Sequence, residues 1–387
     1  MNPIRFGIVG LGSMALNHAA TMLKKTPHAR ICAVASKNEK NIAALHAMPG
    51  GEQITVFDTP EAMYRSGAID AVLIASPHRA HVAQACEAFA CGIHVLLEKP
   101  VGVSTKEARI LNAAAEASGK AFGVMFNQRT NPVYREMKRI VSSGELGEIR
   151  RTNVVITDWF RAQSYYDSGA WRATWKHDGG GVLLNQAPHN LDLWQWICGM
   201  PVSVRAFCGF GRWHDIEVED DVTAYVEYEN GATGTFITCT GETPGTNRFE
   251  ISMDGGQLVY EKGRLLLAKP EVSASSFIRE YAGGYGTPKA TVTDITPADE
   301  NPMHTGVIEA FALHLLEGTP MIAEGREGIN SLMLSNAMLL SAWTERTIAL
   351  PFAAEQDELF ARLLEERAAK SREKVAREIT LNVGGSF

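Results

Sequence analysis

Ile4-Arg5-Phe6-Gly7-Ile8-Val9-Gly10-Leu11-Gly12-Ser13-Met14-Ala15 is the stretch that decides the fold. Ile4–Val9 is a short apolar run of strand type, and Gly10–Ala15 matches G-x-G-x-x-A. Gly10 permits a tight turn, and Gly12 lets a pyrophosphate approach the backbone. Ala15 is small enough for a helix to pack closely on the strand. Ser13 and Met14 fall in the first helical turn, whose N–H groups face the phosphate charge. A glycine pair alone occurs in many turns. Here a strand precedes it, a helix follows it and βαβ units come after, so the pattern reads as a dinucleotide cradle.

Outward from that cradle, Ile31–Ala35, Ala71–Ala75, Ile93–Leu97 and Ala121–Met125 read as further strands. Segments 18–25, 39–47, 81–90 and 105–117 carry helical periodicity between them. Strands alternating with helices predict a doubly wound parallel sheet of Rossmann type over residues 1–124. The pattern then changes. Val133–Ser143 reads as a helix, and six alternating segments follow: 148–157, 202–210, 223–229, 233–240, 249–253 and 257–260. Asn230-Gly231 and Asp254-Gly255 between them are hairpin signals. Residues 125–387 therefore read as an α+β domain with a mostly antiparallel sheet. Residues 272–301 have no clean period and read as long loops with short strands. Helices are expected over 302–316, 328–347 and 355–374, with a frayed tail from Leu381. The whole is of α/β class.

Lys99 sits in Glu98-Lys99-Pro100, at the carboxyl tip of the fourth strand, where open α/β sheets bind ligands. The second strand ends at Ser36-Lys37. A carboxylate in that place selects NAD by accepting from the adenosine ribose. A hydroxyl beside a cation suits a 2′-phosphate instead, which favours NADP. The alternative is NAD, with Ser36 on an ordinary ribose. The third strand ends at Ser76-Pro77-His78. Ser76 and Pro77 would line the ribose–nicotinamide path, and His78 would touch cofactor from the loop. His81 reads as a first-turn helix residue.

Gly179-Gly180-Gly181 and the residues after it form a second constellation. On one helix, Asn185 and His189 at i, i+4, and Asp192 three beyond, would share a side. Pro188 is tolerated in a first turn. A histidine held by an amide and a carboxylate suits a general base. Upstream, Trp159, Arg161, Tyr165, Tyr166, Trp171 and Arg172 offer aromatic faces and planar donors for sugar rings and hydroxyls, or simply pack around a long loop.

Composition sets outer bounds. The 387 residues are 45% hydrophobic and 21% charged, enough for two domains. A net charge of −7 argues against nucleic acid as the main partner. No apolar stretch reaches the length of a membrane span. The early first strand leaves no room for a signal peptide. The six cysteines form no CxxC pair and no zinc spacing, so no metal and a reducing, cytoplasmic setting with buried thiols are expected.

Together these residues resemble the glucose–fructose oxidoreductase / inositol dehydrogenase (Gfo/Idh/MocA) family over nearly the whole chain. The resemblance rests on the cradle, Asp70-Ala71-Val72, Ala75-Ser76-Pro77, Glu98-Lys99-Pro100, Asn127-Gln128-Arg129 and Gly144-Glu145-Leu146-Gly147. Trp171-Arg172, Gly179–Gly181 with His189 and Asp192, and Gly318-Thr319-Pro320 complete it. It implies an open sheet in the second domain that makes a homodimer or homotetramer. It also implies that Lys99 and His189 carry the chemistry, with Lys99 on the substrate oxygen and His189 as base. Glu98, Gln128, Trp171 and Arg172 would contact cofactor. Arg161, Tyr166 and Asn185 would contact substrate. Many relatives carry an aspartate where this chain has Asn185, and an amide cannot accept a proton. Asn185, Met303-His304-Thr305 and Leu340–Trp343 look like a branch that oxidises a ring hydroxyl of a sugar or nucleotide sugar, often at C3. The expected activity is hydride transfer between NAD(P) and a secondary alcohol of a sugar, glycoside or cyclitol. Two other readings stay open: a dinucleotide-binding regulator without turnover, and transient oxidation on a tightly held cofactor with net glycoside cleavage or epimerisation.

Overall fold

A computed structural model describes residues 2–374 and 376–377. The expected frayed tail from Leu381 lies outside the described residues. The chain divides into two compact units, one of residues 1–131 and 301–332, the other of residues 132–300 and 333–387. The expected second domain of residues 125–387 is thus interrupted, because residues 301–332 return to the first unit.

The first unit is built from β1 (Ile4–Val9), α1 (Ser13–Lys24), β2 (Ala29–Ala35), α2 (Glu39–His46), β3 (Thr55–Phe57) and α3 (Pro60–Arg65). It continues with β4 (Ala71–Ile74), α4 (His81–Ala90), β5 (His94–Leu97), α5 (Thr105–Ser118) and β6 (Phe122–Val124). All six strands are parallel, in the order β3-β2-β1-β4-β5-β6. That is the Rossmann order, with its reversal between β1 and β4. Every residue of β4 is buried, as a parallel strand covered on both faces requires. Side-chain caps start the helices: Asn38 accepts from Asn41 N–H, Thr59 from Ala62 N–H and Ser104 from Glu107 N–H. β3 and α3 were not expected. β3 is a three-residue edge strand, too short to show a period.

Residues 301–332 rejoin this unit for a packing reason. Ile308 and Phe311 of α11 (Met303–Glu317) are buried among Phe6, Ile8, Leu73 and Leu96, and the Phe6 and Phe311 rings lie 6.1 Å apart. Without α11 that face of the sheet would lie open to water.

The second unit begins with α6 (Pro132–Ser143) and carries a nine-stranded sheet. Its strands are β7 (Ile149–Ile156), β8 (Ser203–Phe210), β9 (Glu219–Glu227), β10 (Thr233–Cys239), β11 (Asn247–Met253) and β12 (Gly256–Glu261). β13 (Arg264–Pro270), β14 (Ala290–Asp294) and β15 (Ile348–Ala349) complete it. Their order is β14-β13-β12-β11-β7-β10-β9-β8-β15, antiparallel except for the β7–β10 pair. β9 alternates cleanly, with Val222, Ala224 and Val226 buried and Thr223, Tyr225 and Glu227 exposed. One face of the sheet is therefore core and the other is open. The helices are α7 (Gln163–Asp167), α8 (Val182–Asn185), α9 (Pro188–Cys198), α10 (Ala274–Glu280) and α13 (Ala354–Ala368), while α12 (Gly328–Thr344) runs from the first unit into the second. α13 stops six residues short of the expected end.

All six cysteines are free; Cys239 is fully buried, and burial also pushes up the thiols of Cys198 and Cys208, so the expectation of buried thiols holds for these three. Among the described residues no helix is long and apolar enough to cross a membrane. No group of three or more His, Cys, Asp or Glu side chains among them is arranged to hold a metal.

Candidate functional site

In the first unit the expected residues gather at the carboxyl ends of the strands. Gly10 follows β1, Ser36 and Lys37 follow β2, Ser76 follows β4, and Glu98 and Lys99 follow β5. The reversal between β1 and β4 opens the crevice where such sheets take dinucleotides. Gly10 has φ +79°, and a Cβ there would lie 2.9 Å from the Ala75 carbonyl oxygen. Gly12 is different: a Cβ there would meet nothing within 4 Å. Gly12 is also the N-cap of α1, with no side-chain cap and no acidic residue in the first turn. The N–H groups of that turn and the positive end of the helix dipole are left for an anion. The residues present therefore fit a dinucleotide phosphate, held by the backbone of Gly12, Ser13 and Met14.

Ser36 Oγ accepts from Asn38 N–H at 3.1 Å, and Lys37 is exposed. Ser76 Oγ donates to Gln84 Oε1 at 2.6 Å. Pro77 is exposed and His78 half-buried, with its ring 5.9 Å from that of His81. His81 is fully buried, with Nδ1 2.7 Å from Pro100 O and Nε2 2.8 Å from Ser76 O. Burial lowers its pKa to about 4 despite both carbonyls. It ties the tip of β4 to the segment after β5, a role beyond that of an ordinary first-turn residue.

Glu98 makes a network the sequence reading missed. Its Oε1 lies 2.6 Å from Nε2 of the buried His18 on α1, and its Oε2 accepts from Lys99 N–H at 3.2 Å. Burial alone would raise the Glu98 pKa. The hydrogen bond and charge of His18, with His304 and Lys99, bring it down to about 2. An ionised Glu98 requires His18 Nε2–H to be the donor. The His304 ring meets that of His18 edge-on at 5.0 Å, and burial lowers the His304 pKa to about 4. Lys99 is half-buried beside this carboxylate and helps to keep it ionised. Gln128 Nε2 lies 3.9 Å from Met303 Sδ.

In the second unit the expected single helix is two. α8 ends at Asn185 and α9 starts at Pro188, so Asn185 and His189 do not share one helical face. The cause is Pro188, which lacks an N–H and crowds the residue before it; Ala187 sits at φ −90°, ψ 2°. Pro188 occupies the first position of α9, as expected, and puts the half-buried His189 in its first turn. Asp192 is buried and accepts from Gln195 Nε2 at 3.0 Å.

Asn185 has the carboxylate neighbour that its own side chain lacks. Its Nδ2 donates to both oxygens of Asp178 at 3.3 Å, and Asp178 Oδ2 also accepts from Ala173 N–H at 3.0 Å. The signal for Asp178 was its place directly before Gly179–Gly181. Glu219 on β9 was also missed. Its Oε1 accepts from Gly181 N–H at 2.8 Å and Leu183 N–H at 3.1 Å, and so caps α8. Burial, only partly offset by these N–H groups, raises its pKa to about 7. Gly181 is obligatory, since a Cβ there would lie 1.9 Å from Glu219 O.

The aromatic–arginine loop is ordered by stacking. The guanidinium carbon of Arg172 lies 4.5 Å from the Tyr165 ring centroid and 4.4 Å from that of Trp171. That of Arg161 lies 5.1 Å from Tyr165 and 5.3 Å from Trp159. Tyr165 OH donates toward Asn185 Oδ1 at 3.4 Å and accepts from Arg172 Nη1 at 2.9 Å. Tyr166, by contrast, is buried with its hydroxyl 2.8 Å from Thr240 Oγ1, and burial raises its pKa. Tyr165 rather than Tyr166 reaches the residues expected to meet substrate.

Residues 4–126 match the "oxidoreductase family, NAD-binding Rossmann fold", and residues 134–259 match the Gfo/Idh/MocA C-terminal domain. The chain belongs to the Gfo/Idh/MocA family. Within that family it is 26% identical to the D-glucoside 3-dehydrogenase of Escherichia coli K12, over 90% of this chain and 98% of that one. It is 29% identical to "uncharacterized oxidoreductase YdgJ" of the same organism, over 52% of this chain and 55% of that one. The match to YdgJ therefore spans about half of either protein. Among solved structures, the WlbA dehydrogenase of Chromobacterium violaceum, in complex with NADH and UDP-GlcNAcA, superposes with a TM-score of 0.76. That structure is 29% identical and covers 91% of this chain and 97% of its own. As a Gfo/Idh/MocA protein the chain is an NAD(P)-dependent dehydrogenase acting on CH–OH groups.

Proposed function

We propose that this dehydrogenase oxidises a ring secondary alcohol of a sugar, glycoside or cyclitol, with Lys99 and His189 as its catalytic residues. The observation that carries this reading is the uncapped N-terminus of α1 after Gly12, on the same strand edge as Lys99. A bound nicotinamide supplies the hydride acceptor. Lys99 donates to the substrate oxygen and stabilises its developing negative charge. His189 takes the hydroxyl proton. General-base help of this kind is worth about 10²- to 10⁴-fold. Asn185 orients substrate, since its amide accepts no proton. NADP is the proposed cofactor, because Ser36 and exposed Lys37 stand at the end of β2 where an NAD enzyme keeps a carboxylate. The glucoside dehydrogenase and the WlbA complex support a sugar substrate.

A homo-oligomer formed through the outer face of the nine-stranded sheet is part of the proposal. Phe207 is 63% and Tyr225 42% exposed there, more apolar surface than a lone sheet face favours. Six free cysteines fit a cytoplasmic setting.

The test is a panel of sugars, glycosides and cyclitols with NAD and NADP, read by absorbance of the reduced cofactor. Turnover in wild type, with losses of at least about 100-fold in Lys99→Ala and His189→Ala, is expected. No activity across the panel, or near-wild-type rates in either variant, would overturn the reading.

A further inference from the structure

Two arginines in the second unit lack a counter-ion. Among the described residues neither Arg161 nor Arg172 is paired with a carboxylate. Arg161 Nη1 donates to Phe160 O at 3.0 Å, and its buried Nε meets no hydrogen-bond partner. Arg172 Nε donates to Ser168 Oγ at 3.1 Å and Nη1 to the Tyr165 hydroxyl. Both guanidinium groups are half-buried and stack on the one ring of Tyr165. The acids nearby in sequence are taken elsewhere. Asp167 meets Gln163 and Arg377; Glu217 meets Trp175 N–H and Ser371; Asp178 meets Asn185.

Two like charges held against one ring repel each other, and partial burial weakens the water screening that would relieve them. Stacking on Tyr165, Trp159 and Trp171 offsets part of that cost and fixes the guanidinium planes. Planar forks held in this way match a carboxylate or phosphate, which accepts two parallel N–H bonds from each. The cluster is also tied to both sides of His189. Tyr165 bonds Asn185, and Trp159 Nε1 donates to Asn190 Oδ1 at 3.4 Å. Tyr165, Arg172, Asp178, Asn185 and Gln186 line one crevice.

We propose that Arg161 and Arg172, stacked on Tyr165, form an anion subsite, so that the alcohol oxidised belongs to a sugar bearing a carboxylate or a phosphate. This rests on the sugar-dehydrogenase reading and narrows its substrate class. The carboxylate and phosphate forms share one chemistry, and substrate choice separates them.

The experiment compares kcat/KM on the full chain for glucose, methyl glucoside, glucuronate, glucose 6-phosphate and a UDP-linked uronate. Charged sugars are expected to exceed neutral ones by about 10- to 100-fold, the worth of one or two charge-assisted hydrogen bonds. In Arg161→Gln and Arg172→Gln that ratio falls by about tenfold each, and Arg172→Lys keeps part of it. Preference for glucuronate identifies a carboxylate, and preference for the phosphate sugar a phosphate. Equal use of neutral and charged sugars by wild type overturns the inference, as does an unchanged ratio in both Gln variants. If no sugar is turned over, the sugar-substrate reading fails. The subsite is then decided by quenching of Trp159 and Trp171 fluorescence with glucuronate and with inorganic phosphate. Quenching lost in Arg172→Gln supports it, and quenching equal in wild type and variant, or absent in both, refutes it.

Discussion

Glu219→Gln should make the protein progressively more stable than wild type as pH rises from 5 to 8. Glu219 is fully buried and caps α8 through Gly181 and Leu183, and no described group partners its second oxygen. Burial raises its pKa from 4.5 to about 7. Between those values the native chain holds a proton that the unfolded chain has released. Stability therefore falls as pH rises through that window, and the loss is complete above about pH 7. At 1.36 kcal/mol per pKa unit, the rise corresponds to about 3 kcal/mol. Glutamine keeps an acceptor for both N–H groups and carries no charge, so this loss is absent from the variant. His81 and His304, with pKa values lowered to about 4, act in the opposite sense between about pH 4 and 6.5. They are present in both proteins and cancel in the difference. Urea unfolding of wild type and variant at pH 5, 6, 7 and 8 gives that difference directly. Parallel curves, or a gap that narrows toward pH 8, would refute the placement of a protonated carboxyl under the glycine run.

The two glycines of the cradle should fail in different ways. Gly10→Ala strains a left-handed residue against the Ala75 carbonyl and should lower the urea midpoint, whereas Gly12→Ala finds open space, leaves stability near wild type and weakens dinucleotide affinity measured by calorimetry. Equal affinity in Gly12→Ala and wild type would contradict the phosphate role. His18→Leu leaves the Glu98 carboxylate buried without its donor and should cost about 3 kcal/mol or more at pH 7. The stability that Glu98 supplies in wild type is fully present above about pH 4.5 and is lost as pH falls toward about 2, so an unchanged acid limb in His18→Leu would count against the network.

The first unit was legible because its central strands are short, largely buried runs, punctuated by glycine or proline. The parts missed had no such contrast. β3 is three residues on an edge. β13 carries Leu265-Leu266-Leu267, an unbroken run that shows no alternation although it lies between β12 and β14. The overlong reading of α13 has a similar cause. Residues 369–374 continue a charged pattern fully compatible with helix, but the chain leaves it. Lys374 Nζ donates to the carbonyls of Tyr166 and Arg172 at 2.8 and 3.3 Å, a tertiary contact that no local period encodes. The return of residues 301–332 to the first unit is of this kind too, since it depends on what Phe311 packs against.

For the site, residue type was legible and partnership was not. Asn185 stands where a carboxylate was wanted, and sequence alone makes that a deficit. In the structure its amide N–H groups are spent on Asp178, seven residues earlier, which leaves Oδ1 toward the Tyr165 hydroxyl. The carboxylate is present but one residue removed, and it faces an amide that cannot relay a proton. Asn185 is therefore fixed in one orientation, oxygen toward the arginine-bearing loop. On the mechanism proposed above, a proton taken by His189 would have no path through it. Asn185→Asp would set a second carboxylate against Asp178, and like charges at that distance disfavour ionising both. The amide instead donates to both oxygens of Asp178, which in turn holds Ala173 N–H beside Arg172.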